Sequence, residues 1–212
     1  MIDDDEPFRR SLVFLLRSAG FAAESFADAE QFLHRAPLDT VGCVVTDLRM
    51  PRVSGLDLQD ALLARGSPLG FVFVSAFAGV RDATQAMRGG AIDFLEKPID
   101  AERLLARVRD ALEWSAEQSR LGEALVRARA GWERLTPRER EILAAVVEGQ
   151  RSREIAEKFE ISPRTVEVHR AHIMEKMEAE SLADLVRSAL LLRNAGLATL
   201  EAPGERPRNG AA

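Results

Sequence analysis

Short apolar runs in the first half of this chain break off at side chains that carry chemistry. Val44-Val45-Thr46 stops at Asp47, the run 71–74 stops at Ser75, and Phe94-Leu95-Glu96 leads to Lys97. The Asp3-Asp4 pair stands where another such run should end, behind only Met1 and Ile2. Runs of this kind read as buried parallel strands. Side chains at the carboxyl ends of adjacent parallel strands converge in one crevice. Carboxylates crowded there repel one another unless a cation joins them, and a hard divalent ion with oxygen ligands, such as Mg²⁺, meets that need. Lys97 adds a positive point charge suited to a phosphoryl group.

The elements around these groups alternate. Residues 7–19 form an amphipathic helix with Leu12, Phe14 and Leu15 on its stripe and Gly20 as its stop. A strand follows at 21–26, then a helix capped by Asp28 and running through Arg35. Strands at 41–46, 71–75 and 92–96 alternate with helices at 56–65, 81–88 and 101–113. This is the signature of an α/β fold, a doubly wound parallel sheet with helices on both faces. Residues 114–132 are dominated by the helix formers Ala, Glu, Arg, Leu and Gln and read as a helical linker, whose polarity allows a solvated spacer while Leu121, Leu125 and Val126 allow packing on a partner. Thr136, Pro137 and Glu139 then make a capping box, and Ser162-Pro163 opens a second capped helix reaching about Lys176. The expected division is 1–113, an α/β domain; 114–133, the linker; 134–200, a small all-α domain; and 201–212, a disordered tail.

The net charge is −5, which argues against a broadly basic nucleic-acid binder. Residues 1–113 carry 18 acids and 13 bases, while residues 134–194 carry 11 of each. DNA contact must then rest on a local arrangement of charge. The single cysteine, Cys43, sits in an apolar strand and reads as a buried thiol, fitting a reducing cytoplasm. No apolar stretch approaches the ~20 residues of a membrane span, and the acidic first residues do not resemble a signal peptide.

The constellation of Asp3, Asp4, Asp47, Ser75 and Lys97 resembles the receiver domain of two-component response regulators. The later segments Thr136-Pro137-Arg138-Glu139-Arg140-Glu141-Ile142-Leu143, Glu154-Ile155-Ala156 and 162–170 resemble a LuxR-type helix-turn-helix. Receiver followed by this effector is the layout of the NarL/FixJ family, closest to its FixJ branch. The resemblance implies a flavodoxin-like receiver and a transcriptional regulator rather than an enzyme. In that frame Asp47 is the phosphoacceptor, serving a sensor histidine kinase. Asp4 and Asp47 bind Mg²⁺ directly, with the main-chain carbonyl of Arg49, and Asp3 acts mainly through water. Lys97 pairs with Asp47 at rest and precedes a cis proline bond. Ser75 contacts the phosphoryl group and Phe94 is the aromatic switch. Thr84 and Arg88, four apart on one helix, are candidates for the contact of an activated homodimer.

The same resemblance makes 162–176 the recognition helix, whose N-terminal part enters the major groove. Arg164, Thr165, His169, Arg170 and Lys176 are its donors, and Glu167, Val168 and Ala171 fall where the family tends to read bases. His172 shares a side with Thr165, Val168 and His169. RNA polymerase is an expected partner of such a regulator. Three other readings compete. A phosphohydrolase would show a second Asp after Asp47, which Asp47-Leu48-Arg49-Met50-Pro51 lacks. An autoinducer sensor would not need the acids and Lys97. A phosphorylation-independent regulator could keep all of them.

One further expectation concerns the first strand. A central strand of about five residues buries some three large apolar side chains, worth roughly 5–9 kcal/mol in all. Whole-domain stability is only ~5–15 kcal/mol. The chain therefore reads as N-terminally shortened, with about six to ten apolar-ended residues missing before Ile2 and with Asp3 and Asp4 frayed.

Overall fold

The computed structural model describes residues 1–76 and 79–198. The chain divides into two units that meet between Arg120 and Leu121. The tail expected at 201–212 lies outside the described residues.

In the first unit the elements are α1 (Glu6–Ser18), α2 (Ala29–Arg35), β1 (Cys43–Asp47), α3 (Gly55–Leu63), β2 (Gly70–Ser75), α4 (Val80–Arg88), β3 (Asp93–Glu96) and the start of α5 (Ala101–Glu133). The three strands are parallel in the order β1-β2-β3. All six residues of β2 are buried, because helices cover both faces of the sheet. Its alternation sorts them: Phe71 and Phe73 enter a cluster with Ile2, Phe26, Phe32, Leu58 and Leu62, whereas Val72 and Val74 enter one with Leu12, Leu16, Leu95, Leu104 and Val108. Asp5, Asp28 and Ser54 cap α1, α2 and α3 through side chains that accept from backbone N–H groups.

The N-terminus differs from expectation in two ways. Met1–Asp3 is not frayed. Ile2 is fully buried and bridges in parallel to both Phe26 and Thr46. Its N–H donates to the Val45 carbonyl at 2.8 Å, and its carbonyl accepts from Asp47 N–H at 3.0 Å. The strand expected at 21–26 shrinks to a bridge at Phe26, since its only neighbour in the sheet is this short segment. The Met1 ammonium donates to the Glu24 carbonyl at 2.9 Å, and burial pulls its pKa down to about 6.

The linker is also different from a solvated spacer. α5 is unbroken over 33 residues. Within the first unit, Ser115 is buried and its hydroxyl accepts from Gly42 N–H at 3.0 Å. Within the second, Ala128 is buried in the helical core, with Leu125 and Trp132 packed against it. Leu121 and Val126 stay exposed. Cys43 is half-buried rather than fully enclosed, and desolvation pushes its thiol up to about 12.

The second unit adds α6 (Pro137–Val147), α7 (Ser152–Lys158), α8 (Pro163–Lys176) and α9 (Leu182–Asn194). Ile142, Leu143, Ile155, Val166, Ile173, Leu185 and Leu192 are its fully or nearly fully buried centre. The turn between α7 and α8 places Glu160 at φ 55°, a left-handed conformation that glycine more often supplies.

Candidate functional site: an acidic crevice and a helix-turn-helix

Register brings the acids together. Asp47 ends β1 beside Val74, and Ser75 ends β2 beside Glu96. Lys97 follows β3, its N–H donating to the Ser75 carbonyl at 2.8 Å. The Ile2 bridge sets Asp3 at the same end of the sheet. Asp3, Asp4 and Asp47 each present a carboxylate oxygen within 4.8 Å of the others.

The three acids differ in surroundings. Asp3 is fully buried and both of its oxygens are engaged, Oδ1 accepting from Asp5 N–H at 2.8 Å and Oδ2 from Lys97 at 2.9 Å. Asp4 is exposed. Asp47 is half-buried, with Oδ1 accepting from Leu48 N–H at 2.7 Å and Oδ2 lying 3.5 Å from Lys97 Nζ. Burial pushes the Asp47 carboxyl above the usual range; Lys97 opposes this, Asp3 adds to it, and the N–H groups of Leu48 and Arg49 oppose it. Lys97 thus lies closer to Asp3 than to Asp47, the reverse of the expected resting pair. Its bond to Pro98 is cis, as the family resemblance implied. A donor set of crowded carboxylate oxygens without nitrogen or sulfur suits a hard cation such as Mg²⁺. The side chain of Arg49 reaches Asp82 on α4 at 3.8 Å.

Around the crevice, Ser75 is buried. Phe94 is half-buried and stacks on Phe73 with ring centroids 6.2 Å apart. It also lines a surface groove with Val80, Thr84, Met87 and Arg88. Thr84 and Arg88 are exposed there, though the Thr84 hydroxyl already donates to the Val80 carbonyl at 2.6 Å. Two residues that the sequence reading missed bear on these groups. Gln59, buried in α3, donates from Nε2 to the carbonyls of Ala86 at 3.2 Å and Gly89 at 3.0 Å, tying down the end of α4. Phe8 lies with its ring centroid 3.9 Å from Lys97 Nζ. No local pattern signals either contact.

In the second unit, the exposed side of α8 carries Arg164, Glu167, Val168, Ala171 and His172, spaced by threes and fours as one helical face requires. Thr165, His169 and Arg170 are half-buried. The Thr165 hydroxyl shares a hydrogen bond with the Ser162 cap at 2.8 Å, and Arg170 donates to the Ser152 hydroxyl at 3.2 Å. His169 Nδ1 is buried without a hydrogen-bond partner. Lys176 requires a correction. Its ammonium lies 2.7 and 2.9 Å from the two oxygens of buried Glu139, whose carboxylate also accepts from Thr136 N–H at 2.8 Å and from its hydroxyl at 2.9 Å. Burial alone would raise the Glu139 carboxyl, but Lys176 and Thr136 outweigh it and hold it at about 2. Lys176 is therefore an internal tie between α8 and the capping box of α6, not an open phosphate donor.

Comparison with known proteins agrees with both halves. Residues 1–109 match the response regulator receiver domain, and residues 133–189 match the bacterial regulatory proteins of the luxR family. The transcriptional regulatory protein FixJ of Azorhizobium caulinodans is 46% identical over 192 residues, covering 90% of each chain. The tetrathionate response regulatory protein TtrR of Salmonella typhimurium is 40% identical over 187 residues, covering 88% of this chain and 89% of its own. The solved structure of response regulator StyR superposes with a TM-score of 0.72 at 37% identity, covering 89% of this chain and 96% of its own. Among the described residues no helix is long and apolar enough to cross a membrane. The chain belongs to the NarL/FixJ family of response regulators, and is a DNA-binding transcriptional regulator of the two-component type.

Proposed function

We propose that Asp47 accepts a phosphoryl group from a histidine of a sensor kinase, and that this acyl phosphate controls DNA binding by α8. The reading is supported above all by Lys97, which from the end of β3, across β2, reaches Asp3 at 2.9 Å and Asp47 at 3.5 Å. An Asp47 oxygen attacks phosphorus, the bond to the kinase imidazole breaks, and the imidazole leaves as a neutral base. Asp4, Asp47 and the carbonyl of Arg49 would hold Mg²⁺, with Asp3 acting through water. The ion would disperse charge on the phosphoryl oxygens. Lys97 then turns from Asp47 toward a phosphoryl oxygen, and the Ser75 hydroxyl donates to another.

The receiver is taken as 1–113, the connecting helix as 114–133 and the effector as 134–200. Phosphorylation adds about −1.5 to −2 charge, and Phe94 and α4 carry that change to the face of Thr84 and Arg88, where a second copy docks. The effector has balanced charge, so one copy binds DNA weakly and two copies double the contacts. Arg164, Thr165, His169, Arg170 and His172 face phosphates or bases, and Glu167, Val168 and Ala171 select sequence. RNA polymerase is the downstream partner.

Incubating the protein with phosphoramidate and Mg²⁺ and measuring intact mass tests the acceptor. A labile phosphoryl adduct of equal stoichiometry on Asp47→Asn defeats the assignment. Equal DNA affinity before and after phosphorylation defeats the coupling.

A further inference from the structure

We infer that Phe8 is a positioning residue for Lys97, its ring face holding the ammonium beside Asp3 and Asp47. The inference deepens, and rests on, the reading of Asp47 as phosphoacceptor. Lysine is a point charge on a flexible four-carbon stem, so its aim must come from what surrounds the ammonium. Three groups do so here: Asp3 at 2.9 Å, Asp47 at 3.5 Å and the Phe8 ring at 3.9 Å to its centroid. The ring is electron-rich on its face and attracts a cation at this range. It also displaces water from one side of Lys97, whose side chain is only 18% exposed.

The chain fixes Phe8 and Asp3 together. The Asp5 side chain accepts the Phe8 N–H at 3.1 Å as the cap of α1, while the Asp5 N–H donates to Asp3 Oδ1 at 2.8 Å. The Phe8 ring packs against the buried cluster that includes Leu12, Val72 and Leu95. One short segment therefore supplies both the anion and the ring that bracket Lys97. When Asp47 takes up a phosphoryl group, Lys97 must redirect the N–H that faced Asp47. Asp3 and Phe8 keep the ammonium in place during that exchange. Without the ring, Asp3 alone restrains it and water enters beside it.

The test uses the full chain with phosphoramidate and Mg²⁺, the transfer rate being followed by intact mass. In this reaction the phosphorus–nitrogen bond breaks, a bond from an Asp47 oxygen to phosphorus forms, and ammonia leaves. Phe8→Leu keeps apolar bulk but has no π face. It should slow transfer by about 2- to 30-fold, the span expected for a cation–π contact of ~0.5–2 kcal/mol. Phe8→Tyr should keep the wild-type rate. A thermal melt of each variant separates loss of fold from loss of aim. Independently of activity, the ε-methylene protons of Lys97 should show an upfield ring-current shift in the wild type and in Phe8→Tyr. That shift should vanish in Phe8→Leu. An unshifted Lys97 in the wild type, a Phe8→Leu rate equal to the wild type, or a folded Phe8→Tyr as slow as Phe8→Leu would overturn the inference. Failure of the underlying reading looks different: Asp47→Asn would then still take up the phosphoryl group.

Discussion

Glu139→Gln should destabilise the second unit in a strongly pH-dependent manner. The side chain is 3% exposed, and it closes the α6 capping box while receiving both contacts from Lys176. Gln keeps the shape and can still accept from Thr136, but it removes the charge that Lys176 faces. Holding a carboxyl at about 2 instead of 4.5 corresponds, at ~1.4 kcal/mol per tenfold change, to roughly 3 kcal/mol. Because the folded pKa lies below the unfolded one, that contribution is fully present above about pH 5 and disappears as pH falls from 4.5 toward 2. Roughly 3 kcal/mol is a large share of a small domain's stability. Trp132 packs on the helical core and reports its unfolding. Denaturant melts followed by its fluorescence, in a Trp114→Phe background, should give a much lower midpoint for Glu139→Gln at pH 7. The gap should narrow steadily from pH 5 to pH 3. Equal midpoints at pH 7, or a gap that ignores pH, would refute the reasoning.

Four further substitutions separate the roles assigned above. Lys176→Met should lower the same midpoint while leaving the slope of log affinity for DNA against log salt unchanged. Arg164→Ala should lower that slope by about 1, as loss of one phosphate contact requires. Asp47→Asn removes a half-buried charge facing Asp3, so without divalent ion the first unit should melt at a higher temperature than the wild type by calorimetry. At Gly55 an added Cβ would lie 2.4 Å from the Asp47 carbonyl oxygen. Gly55→Ala should therefore cost about 1–3 kcal/mol in a denaturant melt and slow phosphorylation by shifting the turn that follows Asp47.

How much of this was legible follows from where each signal resides. β1 and β2 were visible because burial on both faces leaves a continuous apolar run; β3 showed only as the Phe94-Leu95 pair, of which Leu95 alone is buried. The helix over 114–132 was legible from its dominance of helix formers, but the buried positions of Ser115 and Ala128 on α5 were not. Residues 21–26 have strand-like composition, but pairing needs a partner, and three N-terminal residues provide one bridge. Lys176 was misread because a donor to DNA and a donor to a buried carboxylate look alike in sequence. Asp47, Asp3 and Lys97 could be grouped because strand ends converge in a parallel sheet. Phe8 and Gln59 could not, since each acts on a residue far along the chain and neither type is chemically marked.

The pair of bridges made by Ile2 has a thermodynamic corollary. The residues that complete the sheet adjoin those that would grip a cation, so sheet closure and ion occupancy are two faces of one equilibrium. Each population that opens at Ile2 also dismantles the acids beside it, and an ion that binds only the closed form must lower that population by mass action. Amide hydrogen exchange makes this visible residue by residue. The N–H groups of Ile2 and Asp47, bonded across the bridge, should exchange more slowly as Mg²⁺ is titrated in. Those of α8 should keep their rates. Such a receiver would sense the ion through the cohesion of its own sheet as well as through its chemistry.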